Sequence, residues 1–142
     1  MPLGKETRYE SSSSNIVAIA GLNAALDCLN QEEYFKHEQI MTDYLIRKLS
    51  TIKGVKMFLP SDLRNHVGIV SFTFDGFSSD DVGDILDKDF DIAVRTGYHC
   101  APYIHKYLKD EATLGTVRVG LGQFTTKSDI DLLIDAMEEI GE

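Results

Sequence analysis

The chain has 142 residues, 43% of them apolar, and a net charge of −9 from 23 acidic and 14 basic residues. This size and apolar content predict one folded domain around a single core. The acidic balance, without any Lys/Arg-rich block, argues against a nucleic-acid partner. No apolar run has the length of a membrane span, and residues 1–14 lack an apolar signal region. Two cysteines without a secretory signal favour a reduced, cytoplasmic protein.

The N-terminal third of the chain predicts an arm followed by two helices. Residues 1–14 include four consecutive serines and show no helical or strand period, which predicts a flexible N-terminal arm. From Asn15, a good helix N-cap, apolar residues recur at helical spacing to about residue 30, and Cys28 is expected inside that helix as a small core residue. A second helix is predicted over 32–53, ended by Gly54.

After residue 54 the pattern changes to short runs typical of strands, at 55–59 and 67–74. In the second run Val70, Phe72 and Phe74 alternate onto one face. A short helix capped by Ser78 or Ser79 is predicted to end near residue 88. Helices and strands follow one another here without a strict βαβ rhythm.

The C-terminal part continues with a brief strand predicted over 92–95, one or two helical turns over 103–108 and a strand over 116–119. Thr126 and Asp129 have capping-box spacing and begin the last helix. The interspersed elements predict an α/β (α+β-like) domain with a small mixed or antiparallel sheet packed with helices.

The most informative segment is residues 95–102, which read RTGYHCAP. Gly97 permits unusual backbone angles, and Pro102 restricts the residue before it, so Cys100 is predicted to lie on a loop. His99 beside the cysteine, with Arg95 and His105 nearby in sequence, suggests an electropositive setting for that loop, which favours the reactive thiolate. The alternative is a buried, inert thiol, the commonest state of a free cysteine.

Two arginines lie opposite the apolar faces of the predicted strands that flank this loop. If those strands are neighbours, Arg95 and Arg118 converge with Cys100 and can grip a small carboxylate substrate. The alternative is that each arginine pairs with a local carboxylate such as Asp89 or Asp91, and spacing leaves both interpretations open. The acidic residues near 80–87 have helical spacing and predict a solvated face, so no metal site is predicted.

Residues 92–102, the segment GTVRV at 115–119 and FTT at 124–126 resemble the C-terminal domain of cysteine desulfurases. These are class V aminotransferase-type enzymes of fold type I that use pyridoxal phosphate. The likeness continues N-terminally through RYE at 8–10 and through residues 15–26. The resemblance implies that residues 15–142 form the C-terminal small domain, and that the large domain carrying the cofactor-binding lysine is absent.

The resemblance also implies roles for particular residues. Cys100 would attack the sulfur of L-cysteine and become a persulfide, with L-alanine as the other product. Arg118 would hold the substrate carboxylate, Arg95 would support the same substrate-binding wall, and His99 would orient the loop. Ser13 occupies a position where the family usually has a threonine that touches the cofactor phosphate.

For the parent enzyme, the resemblance implies a homodimer with bound pyridoxal phosphate that passes sulfur to an acceptor or iron–sulfur scaffold protein. The fragment alone is expected to bind no cofactor and to be inactive. Two alternatives stay open. One is a selenocysteine lyase or another class V enzyme, and the other is a free-standing sulfur-carrier or interaction domain that uses Cys100 without a cofactor.

Overall fold

The structure, a computed structural model, describes residues 13–142. The chain divides into two units, Met1–Glu32 and Glu33–Glu142. The arm predicted for residues 1–14 and the RYE segment lie almost entirely outside the described residues. Helix α1 (Ile16–Asp27) begins as predicted, because the Asn15 side chain accepts a hydrogen bond of 3.1 Å from the Ala18 N–H. Cys28 caps the end of α1 and is exposed, so its predicted core position was wrong.

The second unit is built on a three-stranded antiparallel sheet. Its strands are β1 (Val55–Phe58), β2 (Ile69–Phe74) and β3 (Val117–Gly120), with β2 in the centre. Phe72 pairs with Met57 on one side and with Val117 on the other. Phe72 is fully buried, and its β2 neighbours on the same face are buried with it, as the alternation predicted. The predicted fold class is confirmed.

Four helices complete this unit: α2 (Gln31–Leu49), α3 (Ser79–Phe90), α4 (Pro102–Leu108) and α5 (Lys127–Ile140). Helix α3 contacts α5 and both β2 and β3. Capping boxes begin α3 and α5, the second in the predicted pair Thr126 and Asp129. No helix among residues 13–142 is long and apolar enough to cross a membrane. The fully buried side chains of the core include Leu45, Leu49, Val70, Phe72, Val82, Leu86, Val117 and Met137.

The end of α2 and one predicted strand differ most from the sequence prediction. Helix α2 ends at Leu49 because the hydroxyls of Ser50 and Thr51 donate to backbone carbonyls one turn back, in competition with the helix. The strand predicted over 92–95 is wrong for residues 92–94, which are irregular. Only Arg95 continues the sheet, through an isolated antiparallel bridge to Arg118.

Candidate functional site

The site begins at the bridge between Arg95 and Arg118. The Arg95 N–H donates to the Arg118 carbonyl at 3.1 Å, and the Arg118 N–H donates to the Arg95 carbonyl at 2.7 Å. On β3, Val117 and Val119 are buried while Arg118 is half-buried, so the arginine lies on the face opposite the core. The condition that the two arginine-bearing segments be neighbours is therefore met.

Two glycines pack against each other just beyond this bridge. The Thr116 N–H donates to the Gly97 carbonyl at 3.2 Å. Gly97 has φ +83° and Gly115 has φ +99°, a region that favours glycine. A Cβ added to Gly115 would lie only 2.4 Å from the Gly97 carbonyl oxygen. The loop therefore joins β3 through a contact that only glycine permits.

Cys100 lies in a tight turn that starts from this contact. The Ala101 N–H donates to the Tyr98 carbonyl at 2.8 Å and closes the turn. The two central residues, His99 (φ 51°) and Cys100 (φ 61°), are both left-handed, although neither is glycine. Each such residue costs about 1–2 kcal/mol, so surrounding contacts must hold the turn. The predicted loop position of Cys100 is confirmed, and its side chain is exposed rather than buried.

The guanidinium of Arg95 contacts the cysteine. Its Nη2 donates to Cys100 Sγ over 3.6 Å. A guanidinium N–H is a hydrogen-bond donor, so this contact holds Cys100 Sγ beside a fixed positive charge. Among residues 13–142 Arg95 makes no ion pair with a carboxylate. Arg95 is therefore not paired with Asp89 or Asp91, the alternative that the sequence left open.

His99 supports the turn from the other side of the site. Its Nε2 lies 3.1 Å from the Thr116 carbonyl oxygen and 2.9 Å from the Thr116 Oγ1. Because a carbonyl only accepts, Nε2 carries the hydrogen. Nδ1 is then a bare acceptor, and it is buried without a partner among the described residues. Burial, followed by the positive charge of Arg118, lowers the pKa of His99, which favours the neutral ring.

Arg118 is the second cation of the site. Within the described part of the chain its guanidinium has neither a hydrogen bond nor an ion pair. It is half-buried on β3, next to a backbone that also holds Arg95. An arginine without a partner at this position can bind an incoming carboxylate through both of its N–H edges.

Sequence reasoning missed the residues that anchor the loop to α3. The buried Ser79 Oγ accepts from the Gly97 N–H at 3.2 Å and donates to the Leu114 carbonyl at 3.1 Å. Thr96 donates to Asp80 at 2.6 Å. The only sequence signal was the suitability of Ser79 as a helix cap, and Ser78 takes that role instead. Ser79 thus joins the cysteine loop, and the segment that precedes β3, to the start of α3.

The remaining predicted residue, Ser13, lies in the first unit, immediately before α1, and is exposed. Its contact with a cofactor phosphate stays a prediction. In the described range 13–142, no group of three or more His, Cys, Asp or Glu side chains could hold a metal ion.

Comparison with known proteins identifies relatives of this chain. The model of the family described as aminotransferase class-V matches residues 4–133. A probable cysteine desulfurase of Methanothermobacter thermautotrophicus is 35% identical over 94% of this chain and 34% of its own length. The chain spans about a third of the length of the curated relatives it matches.

Solved structures share the fold. The apo structure of a cysteine desulfurase from Thermococcus onnurineus superposes with a TM-score of 0.81 and 29% identity, over 94% of this chain and 33% of that one. A variant of the protein C-DES, with glycine covalently linked to its PLP cofactor, superposes with a TM-score of 0.70 and 20% identity, over 93% of this chain and 31% of that one. The fold of this chain is thus a part of the fold found in these enzymes.

Proposed function

Because this chain belongs to the aminotransferase class-V family, we propose that it is the part of a cysteine desulfurase that carries the sulfur-accepting nucleophile, Cys100. Residues 15–142 would be the small domain of such an enzyme. One observation carries the proposal: an exposed cysteine, held in a left-handed turn, with an arginine guanidinium 3.6 Å from its sulfur. An inert thiol has no need of a strained turn or an adjacent cation.

The proposed step moves one sulfur atom from L-cysteine to the protein. The thiolate of Cys100 attacks the substrate thiol, so that an S–S bond forms while the substrate C–S bond breaks. The electron pair of the broken bond stays on the substrate carbon, which takes up a proton to give L-alanine. The sulfur remains on Cys100 as a persulfide, and no external oxidant or reductant is needed. A persulfide is the group that a sulfur-acceptor protein can then receive.

The neighbouring residues take complementary roles in this proposal. Arg118, without a partner of its own, binds the substrate carboxylate. Arg95 stabilises negative charge on Cys100 at the wall of the same site, in line with its predicted place beside the substrate. His99 holds the turn to Thr116 through Nε2, and its neutral ring adds no further positive charge beside Arg118.

Two cavities among the described residues are poorly suited to pyridoxal phosphate. A cavity of about 350 Å³ is lined mainly by apolar residues together with Asp129. Another of about 440 Å³ is lined by Asp81, Asp84 and Asp89, with Lys88 as its only cation. The Lys88 ammonium is already paired with Asp84. A phosphate group placed in either cavity would meet carboxylates, so we assign no cofactor contact to these residues. We accordingly expect this chain alone to release no L-alanine from L-cysteine.

The proposal extends to partners as the family resemblance implies: a homodimer, a sulfur-acceptor or iron–sulfur scaffold protein, and a cytoplasmic location. A selenocysteine lyase would use the same arginines toward a selenium substrate. Alanine release from L-cysteine and from L-selenocysteine by the protein that carries this chain distinguishes the two. Equal cysteine turnover by the Cys100→Ala variant would reject the nucleophile role in a desulfurase.

The sulfur-accepting step is tested on the chain itself with a small persulfide as donor. Both cysteines are exposed, so Cys28 serves as an internal reference for Cys100. We expect mass spectrometry to find the transferred sulfur on Cys100, to lose it in Cys100→Ala and to retain it in the matched Cys28→Ala control. Equal loading of the two cysteines would contradict the proposal. Rapid onward transfer to unrelated acceptors would instead favour a free-standing sulfur carrier.

A further inference from the structure

A buried histidine and aspartate lie next to the cysteine turn and have no part in the proposed sulfur chemistry. His105 in α4 and Asp110 after it are each 3% exposed, and His105 Nδ1 lies 2.6 Å from Asp110 Oδ2. Helix α4 ends at Leu108, and its C-cap Lys109 has a left-handed backbone (φ 56°) that reverses the chain. This reversal returns Asp110 to the imidazole ring.

The other edge of the same ring faces the cysteine turn. His105 Nε2 lies 3.1 Å from the Tyr98 carbonyl oxygen, and the Tyr98 ring packs edge-on against the imidazole with centroids 4.9 Å apart. Because the carbonyl only accepts, Nε2 carries a hydrogen and donates it. The ring therefore joins Asp110 to Tyr98, with one nitrogen for each.

The burial of Asp110 favours a firm contact with the His105 ring. Asp110 Oδ1 is buried and has no partner among residues 13–142. A buried carboxylate needs a matching proton or cation, and His105 is the group within hydrogen-bond distance of its second oxygen. Breaking this contact would leave the carboxylate uncompensated, so the orientation of the His105 ring is fixed.

The Tyr98 carbonyl is also the acceptor that closes the cysteine turn, through the Ala101 N–H at 2.8 Å. His99 and Cys100 between them are left-handed, a conformation that non-glycine residues keep only where their surroundings over-determine it. A second hydrogen bond on this carbonyl fixes the peptide plane from which the turn begins. A carbonyl that accepts both bonds cannot rotate without losing one of them.

We propose that His105 and Asp110 are positioning residues for Cys100. Asp110 orients the His105 ring, and the ring clamps the Tyr98 carbonyl, so the left-handed turn keeps the cysteine sulfur beside Arg95. The importance of the clamp for catalysis rests on the proposed function, but its effect on the turn does not.

Two substitutions of His105 test the roles of its two ring nitrogens separately. In His105→Asn the amide nitrogen replaces Nδ1, so it reaches Asp110 but not Tyr98. In His105→Gln the amide nitrogen replaces Nε2, so it reaches Tyr98 but not Asp110. Tyr107→Phe, at an exposed position on the same helix, is the matched control.

Hydrogen exchange of the Ala101 amide in the 142-residue chain reports the turn directly. We expect His105→Asn to speed this exchange about tenfold, the effect of losing one buried hydrogen bond. His105→Gln should restore part of the protection, and Tyr107→Phe should leave it unchanged. The alkylation rate of Cys100 relative to Cys28 should change in His105→Asn and recover partly in His105→Gln.

The clamp is rejected if exchange of the Ala101 amide in His105→Asn stays within about twofold of the unmodified chain, or if the Gln and Asn variants behave alike. Should His105→Asn fail to fold, nitrogen NMR of the unmodified chain decides, because the clamp requires a hydrogen on Nε2 and an unprotonated Nε2 overturns it. Sulfur loading is measured separately. A chain that satisfies the exchange test but accepts no sulfur on Cys100 would retain the clamp and refute the proposed function.

Discussion

Three glycines, two beside the cysteine turn and one at the end of β3, separate the effect of backbone conformation from that of close packing. Gly97 has φ +83° and open space where a Cβ would lie. Gly115 combines φ +99° with a Cβ position 2.4 Å from the Gly97 carbonyl oxygen. Gly120 at the end of β3 has neither constraint. Substitution of each by alanine therefore tests a different part of the account.

The expected losses in the free energy of unfolding follow from these geometries. Gly97→Ala places a Cβ in a positive-φ conformation and should cost about 1–2 kcal/mol. Gly115→Ala adds steric overlap with backbone, worth about another 1–3 kcal/mol, and should cost about 3 kcal/mol in total. Gly120→Ala should change the stability by no more than about 0.5 kcal/mol.

Urea denaturation of the three variants measures these differences, and the alkylation rate of Cys100 relative to Cys28 reports whether the turn has moved. We expect Gly115→Ala to be the least stable variant and to alter the Cys100 rate even under conditions where it is folded. If Gly115→Ala and Gly120→Ala were equally stable, the close approach of the loop to β3 would be refuted.

Three further predictions concern single contacts. Burial and the charge of Arg118 lower the pKa of His99 in the folded chain. As the pH falls, His99 is therefore protonated in the unfolded chain before it is protonated in the folded chain. The contribution of His99 to stability is complete above about pH 6.5 and falls below it. Urea denaturation at about pH 7.5 and about pH 5.5 should therefore show that His99→Gln loses less free energy of unfolding on acidification than the unmodified chain. Thr126→Ala should cost about 1 kcal/mol through loss of the α5 capping box, whereas an equal loss in Thr126→Ser would show that the hydroxyl is not responsible. Arg118→Lys keeps the charge but loses the bidentate grip. In the protein that carries this chain, it should raise KM for L-cysteine, and an unchanged KM would remove Arg118 from substrate binding.

Most helices and strands could be predicted from the sequence because their local signals were strong. The capping box at Thr126, the alternation around Phe72 and the cap at Asn15 each act within a few residues, and all three are confirmed. The strand predicted over 92–95 forms only as a bridge at Arg95, because the apolar residues Ile92 and Val94 pack against the core rather than pairing with a strand. The predicted core position of Cys28 was wrong because a helical period does not tell whether the apolar face of a helix is covered.

The site was predictable only where chemistry could be read from residue type. Arg95, Arg118 and Cys100 were expected to converge if the two predicted strands were neighbours. The structure pairs the backbones of Arg95 and Arg118, and the Arg95 guanidinium contacts Cys100. The clamp of His105 and Asp110 depends on a chain reversal at the end of α4, which spacing along the chain does not reveal. The left-handed turn at His99 and Cys100 is also supported from outside, by the contacts of His99 with Thr116 and of His105 with the Tyr98 carbonyl.

The central claim is that Cys100 receives the sulfur of L-cysteine. Radiolabelled sulfur in L-cysteine, followed into the protein that carries this chain and located by peptide mapping, tests it most directly. The account predicts one labelled sulfur on the Cys100 peptide and an equal amount of L-alanine, both lost in Cys100→Ala. Label on Cys28, or undiminished L-alanine formation by Cys100→Ala, would contradict it.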